Sequence, residues 1–413
     1  MTLLAASLSV LSVLSVSALD LETHGFVDAR GGLRTQDDPN EKNESLAEAR
    51  LQLSLERMGD FVTLQVRSDF LYDDIPDDHE IDLEEGTGWI DLREAYLLAS
   101  PLEIMDVKLG RQILTWGTGD MLFINDLFPK DWPSFFSGRD EEYLKAPSDA
   151  VFVSLFPPLA NIDVAWTPRF DSDRYINGQR ISYWNPMLGG KAGRAQAMDA
   201  EKPDEWFDDY ELATRISRSV EGYELALYGY TGFWKTPEGL NTNTMAPYFP
   251  ELSAYGASIR GGLGKGLFNV EAGYYDSEDP AGPNDQARAL VGYERELARD
   301  LSVALQYYVE HMRDHDLYVL ALPPGVNARD ENRQVATVRL TKQALNQNLT
   351  LSLFAYYSPT DEDAYLRPIV KYKVTDAWML SAGANVFLGK DDHTFFGQFE
   401  DNNNVYAGAR YSF

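Results

Sequence analysis

Asn404-Val405-Tyr406-Ala407-Gly408-Ala409-Arg410-Tyr411-Ser412-Phe413 alternates without a break. Val405, Ala407, Ala409, Tyr411 and Phe413 share one parity, and Tyr406, Gly408, Arg410 and Ser412 the other. Successive side chains of a strand point to opposite faces, so such a run separates two different environments. The pattern recurs upstream. Leu51, Leu53 and Leu55 oppose Arg50, Gln52, Ser54 and Glu56, and Leu301, Val303 and Leu305 oppose Ser302, Ala304 and Gln306.

Working outward, eighteen such segments tile the chain from residues 20–33, through a fifth at 104–116, to 403–413. Every second connection is short, such as Met58-Gly59-Asp60 or Gly264-Lys265-Gly266, and carries residues that suit tight turns. The connections between them are mostly long, notably 117–146 and 171–207. In a soluble sandwich the apolar parity would face a core. In a membrane barrel it faces lipid, and the polar parity lines a lumen. The even count and the unequal rims favour the barrel. The expected fold is all-β: a transmembrane antiparallel up-and-down β-barrel of about eighteen strands.

The aromatic final residue, Phe413, resembles the assembly signal of bacterial outer-membrane barrels. That resemblance implies the bacterial outer membrane, with its lipid, its lipopolysaccharide and its assembly machinery as partners. Residues 1–18 are small and apolar up to Ala18 and read as a signal peptide, leaving 19–413 as the barrel. No other stretch is long and apolar enough for a helical span.

Composition excludes several functions. There is no cysteine, so there is no thiolate metal site and no Cys nucleophile. With 65 acidic against 36 basic residues the net charge is −29, which argues against nucleic acid as a partner. The five His are scattered, and no nucleophile faces a base, so neither enzymatic activity nor a cofactor is expected.

Three constellations are candidates for a site. The first is Leu109-Gly110-Arg111-Gln112-Ile113-Leu114-Thr115-Trp116-Gly117 with Asp91-Leu92-Arg93-Glu94-Ala95-Tyr96 upstream and Asp120, Asn125, Asp126, Pro129 and Asp131 downstream. Residues 88–150 resemble a Gram-negative outer-membrane barrel family similar to alginate-export-type porins. The resemblance implies a channel for a small or polymeric solute and does not fix which. Hairpin pairing sets Glu94 near Arg111, and a bulge at Gly110 would turn Arg111 into the lumen. Such a pair either braces the wall or meets solute.

The second constellation is the loop after it, rich in apolar groups for a loop. It reads as a constriction folded inward, with Asp120, Phe123, Asn125, Asp126 and Trp132 as its candidate residues, or as a cap on the rim. The third is Arg339, Arg367, Lys371 and Arg410, which alternation places on the lumenal face as a basic stripe. A stripe of this kind draws anions, or else braces neighbouring strands. Residues 73–85 carry eight acids, read as a solvated loop, with a Ca²⁺ site at Asp77, Asp78 and Glu80 as the other reading.

The expected function is passive passage of small, anionic solutes through a porin. The alternatives are a transporter dedicated to an anionic polysaccharide or a hydrophobic compound, and a loop-plugged structural or adhesive barrel. A homo-oligomer is compatible with all three.

Overall fold

The computed structural model describes residues 21–77, 79–279, 283–322 and 325–413. The expected signal peptide, residues 1–18, lies outside the described residues. Eighteen antiparallel strands form one sheet, and the first, Leu21–Arg34, pairs with the last, Asn404–Ser412, from Phe26↔Ser412 to Arg34↔Asn404. A sheet closed in this way has no free edge, so every strand finds its backbone partners within the wall.

The two parities settle which solvent lies where. Apolar side chains of the strands are exposed outward, as Leu227 is at 61%, while charged ones are enclosed, as Asp69 is at 0%. A soluble sandwich would show the reverse. An apolar exterior around a polar interior is the arrangement of a transmembrane barrel. Aromatic rings gather at both ends of the apolar belt. Trp378 and Tyr411 lie 5.1 Å apart at the rim that carries the carboxy-terminus, and Tyr72 and Trp89 5.6 Å apart at the other.

The rims differ as expected. Short turns join Glu44–Met58 to Val62–Asp73, Tyr223–Phe233 follows Glu211–Val220 directly, and Gly266–Ser277 follows Glu251–Leu263. The opposite rim carries the long loops, in which lie the short helices Trp132–Ser137 and His315–Ala321 and the hairpin of Tyr183–Asn185 with Gly190–Ala192. Short turns mark the periplasmic side of such barrels.

One boundary is corrected. The fifth strand, expected over 104–116, ends at Gln112. Gln112 is fully buried and donates to the Ala150 carbonyl (2.9 Å), and Leu114 beyond it is drawn into the core. Ile113-Leu114-Thr115-Trp116 reads as strand by alternation, but Leu114 and Trp116 pack inside the lumen.

Candidate functional site

Residues 113–147 run into the barrel rather than over its rim. Wall side chains hold the segment at its backbone. Gln306 donates to the Asp120 carbonyl and accepts the Asp120 N–H, both at 2.7 Å. The Tyr356 hydroxyl donates to the Met121 carbonyl (2.8 Å), and the Tyr275 hydroxyl to the Ile124 carbonyl (2.6 Å). Glu271 accepts the N–H groups of Thr118 and Gly119. Tying down these loop carbonyls and amides satisfies groups that the loop would otherwise bury unpaired. The wall is notched to admit the loop. A Cβ at Gly256 would strike the Asn125 side chain, and one at Gly273 would meet Ile124.

Local rules build the next turn. Asp131 caps the helix Trp132–Ser137 by accepting the Ser134 N–H (2.8 Å), Pro133 sits in its first turn, and Gly138 ends it in the left-handed region at φ 98°. The turn delivers Phe135 and Phe136 to an aromatic cluster on the wall, with Phe136 5.3 Å from both Tyr365 and Phe387.

Beyond Gly138 the loop turns acidic and meets the basic stripe. Arg339 grips Asp120 with a fork, Nε to Oδ2 at 2.6 Å and Nη2 to Oδ1 at 2.8 Å, and reaches Glu141 at 3.1 Å. Arg367 reaches Glu141 at 3.2 Å and donates to the Arg139 carbonyl (2.8 Å). Lys371 pairs with Asp140 at 2.8 Å. Arg410 pairs with Asp140 (2.6 Å), Asp28 (2.9 Å) and Glu142 (3.2 Å). Burial opposes ionisation of Asp140, but Arg30, Lys371 and Arg410 outweigh it and hold the carboxyl well below the usual range.

Sequence reasoning placed all four stripe residues on the lumenal parity, and the structure brings them together around the loop. Their partners are loop acids, joined at Arg410 by Asp28 of the neighbouring first strand. Arg30 was missed. It bonds Asp28 (2.8 Å) and Asp140 (2.5 Å). The signal was present, since Arg30 shares its parity with Asp28, but Asp28 faces Arg410 only because the first strand closes on the last.

The other loop candidates stitch the loop together. Asp126 accepts the Thr115 hydroxyl (2.7 Å) and pairs with Lys130 (3.1 Å). Phe123 lies 6.1 Å from Trp132, whose indole N–H donates to Asp173 (2.8 Å), and Asn125 donates to Glu271 (3.3 Å).

One reading is corrected. Glu94 and Arg111 do not pair. Glu94 bonds Arg67 (2.7 Å), while Arg111 bonds Asp149 (2.6 Å) and the Leu83 carbonyl (2.7 Å). Pairing runs through Gly110 without a slip, and the bulge falls at Arg93, between Arg67↔Glu94 and Ser68↔Leu92. That extra residue turns Glu94 inward. Arg111, out of phase with the buried Gln112 and Ala150, stays at the rim under a loop carbonyl. In the acidic loop, Asp77 is taken by Arg194 (2.7 Å) and Lys42 (3.1 Å), which hold its carboxyl below the ordinary range. Asp78 lies outside the described residues, and among the described residues no cluster of three or more His, Cys, Asp or Glu could hold a metal ion.

No protein-family model and no curated protein matches the sequence. Among solved structures the chain is similar to OccAB3 of Acinetobacter baumannii, with TM-score 0.57 and 12% identity over 95% of this chain and 99% of that one. OccK3 (OpdO) of Pseudomonas aeruginosa has TM-score 0.54 and 11% identity over 95% and 96%. OccAB1 of Acinetobacter baumannii has TM-score 0.53 and 10% identity over 95% and 96%. Identities this low show the shared fold, and with the apolar exterior they make the chain an eighteen-stranded β-barrel of the bacterial outer membrane.

Proposed function

We propose that the protein is a passive channel for small polar solutes, with its constriction between the inward loop and the basic wall. The observation that carries this reading is the loop itself. It is held inside the barrel at mid-wall, and it brings Asp120 and Glu141 against Arg339, Glu142 against Arg410, and the more buried Asp140 against Lys371, so that all but Asp140 are partly open to solvent. A site of part-exposed charges binds weakly, as a conducting pore requires, because a solute held tightly does not leave. Small anionic solutes are the finer reading that the stripe suggested. Arg339, Arg367, Lys371 and Arg410 each have an acidic partner, so attraction of anions depends on exchange with those acids. The resemblance of residues 88–150 to alginate-export-type porins would extend the class to an anionic polysaccharide.

Single-channel recording of the refolded protein in a planar bilayer tests the reading. Discrete open steps are expected. A correctly folded barrel that stays silent would instead favour a loop-plugged structural barrel, a reading supported by the aromatic packing of Phe136 against Tyr365, Phe387 and Phe399.

Phe413 is proposed as the contact for the assembly machinery. Its N–H donates to the Gly25 carbonyl (3.0 Å) and its carbonyl accepts the Gly25 N–H (3.1 Å), so it also seals the seam between first and last strands. Removing Phe413 should sharply lower the folded barrel recovered from outer membranes. Unchanged recovery would remove Phe413 from that role.

A further inference from the structure

The basic wall and the loop balance in charge, but they do not balance in what they show to solvent. Arg30, Arg339, Arg367, Lys371 and Arg410 contribute five positive charges, and Asp28, Asp120, Asp140, Glu141 and Glu142 five negative ones, in two sets of ion pairs, one around Asp140 and one around Glu141. Five minus five leaves no net charge. The side chains of Glu142, Asp120 and Glu141 are 47%, 36% and 36% exposed, whereas Arg339, Arg410 and Arg367 are 20%, 14% and 1% exposed. Only Lys371, at 35%, matches the acids. Asp140 and Asp28, at 9% and 4%, are as buried as the arginines, so the carboxylates in front are those of Asp120, Glu141 and Glu142, with the arginines behind.

The fork on Arg339 explains the order. Its Nε and Nη2 are spent on Asp120 and its Nη1 on Glu141, so the guanidinium directs its donors at the loop. Each carboxylate, in contrast, has lone pairs left over on the solvent side, since an ionised carboxylate accepts at about four positions. A solute moving along this surface meets acceptors before it meets donors.

We infer that Asp120, Glu141 and Glu142 are the selectivity-determining groups of the constriction, acting as resident counter-ions that mask the basic wall and turn it toward cationic solutes. The inference rests on the channel reading above and reverses the preference that the stripe alone implied. An oxyanion can use Arg339 only by displacing Asp120 or Glu141, whereas a cation needs no displacement. Charged rings in pores act over short range, so the groups nearest the solute path dominate the sign.

The test is the reversal potential of the refolded barrel in a planar bilayer under a KCl gradient. Wild type is expected to prefer K⁺. The double variant Asp120→Asn/Glu141→Gln is expected to shift the permeability ratio toward Cl⁻ by about three- to fivefold, the size of a partly exposed charge pair. Asp120→Glu keeps the charge and should keep the wild-type ratio. If the double variant does not fold, Glu142→Gln serves in its place, because Glu142 meets only Arg410 among the stripe cations and should give a smaller shift of the same sign. A conducting wild type that prefers Cl⁻, or a conducting variant with an unmoved ratio, would overturn the inference alone. A wild type that passes no current would sink the channel reading as well.

Discussion

Two sides of the same lumen use arginine in opposite ways. Against the wall of the strands Glu44–Met58, Val62–Asp73 and Ile90–Leu102, the guanidiniums that hold the loops are sealed, and Arg67, away from them, is not. Arg174 sits between Asp91 (2.8 Å) and Asp131 (3.2 Å), Arg139 between Glu48 (2.8 Å) and Asp73 (3.0 Å), and Tyr143 covers Arg50 at 4.1 Å. Against the wall that carries Asn332–Ala344, Asp363–Lys373 and Asn404–Ser412, most of the cations keep contact with solvent. The first set ties loops to the barrel. The second set forms the face that a solute can reach. Burial separates the two roles, because a sealed ion pair can exchange with nothing that passes.

The largest way to break this comparison is at the sealed side. Arg174→Met leaves Asp131 buried without its cation and Asp91 with only Arg93 at 3.5 Å, and removing one partner of a buried pair costs about 3–5 kcal/mol. The expected result is a large drop in thermal midpoint, followed by circular dichroism. A midpoint close to wild type would mean that this side is not locked.

Next is the notch that seats the loop. Gly256→Val drives a side chain into Asn125, and forced overpacking costs about 1–3 kcal/mol. The loop should lift from the wall and single-channel conductance should rise. Unchanged conductance would place the constriction elsewhere.

A smaller effect sharpens the solvent-facing side. Arg339→Ala removes a partly exposed pair worth about 1 kcal/mol or less. Its thermal midpoint should stay near wild type while the reversal potential moves toward cations. Arg367→Ala, at a nearly inaccessible guanidinium, should lose stability as the sealed side does. If the two variants behave alike, burial is not what separates the roles.

The smallest effect is in pH. Burial raises the Asp173 carboxyl to about 6, and burial with the Glu211 charge raises Asp171 to about 6. Both acids hold protons more tightly when docked than when released. Their contribution is therefore full below the ordinary aspartate value of 3.8 and is lost as pH rises through about 6. Since Asp173 accepts the Trp132 indole N–H, exchange of that hydrogen should be slower at pH 5 than at pH 7. Asp140 works in the opposite sense, losing its contribution only as pH falls below 3.8, so it does not blur that window.

Much of the architecture was legible in the residues. Leu51, Leu53 and Leu55 against Arg50, Gln52 and Ser54 require opposite environments whatever surrounds them, because the side-chain period of a strand is a local property. The same parity correctly placed Arg339, Arg367, Lys371 and Arg410 inside. It failed where a single residue changes phase. The bulge at Arg93 inverts everything after it in that strand, and nothing in the composition of that segment marks the position. The fifth strand was overextended for a related reason: alternation in Ile113–Trp116 cannot tell lipid from an apolar lumenal core.

The sequence by itself therefore determined an eighteen-stranded transmembrane barrel with unequal rims and a set of inward charges. Those follow from period, turn chemistry and the cost of an unpaired backbone in lipid. Only the tertiary structure decided which charges meet. Asp120 and Arg339 are 219 residues apart, and Asp28 and Arg410 are 382 apart. Such contacts depend on closure of the barrel and on a loop entering it, and no local preference encodes a pairing across that distance.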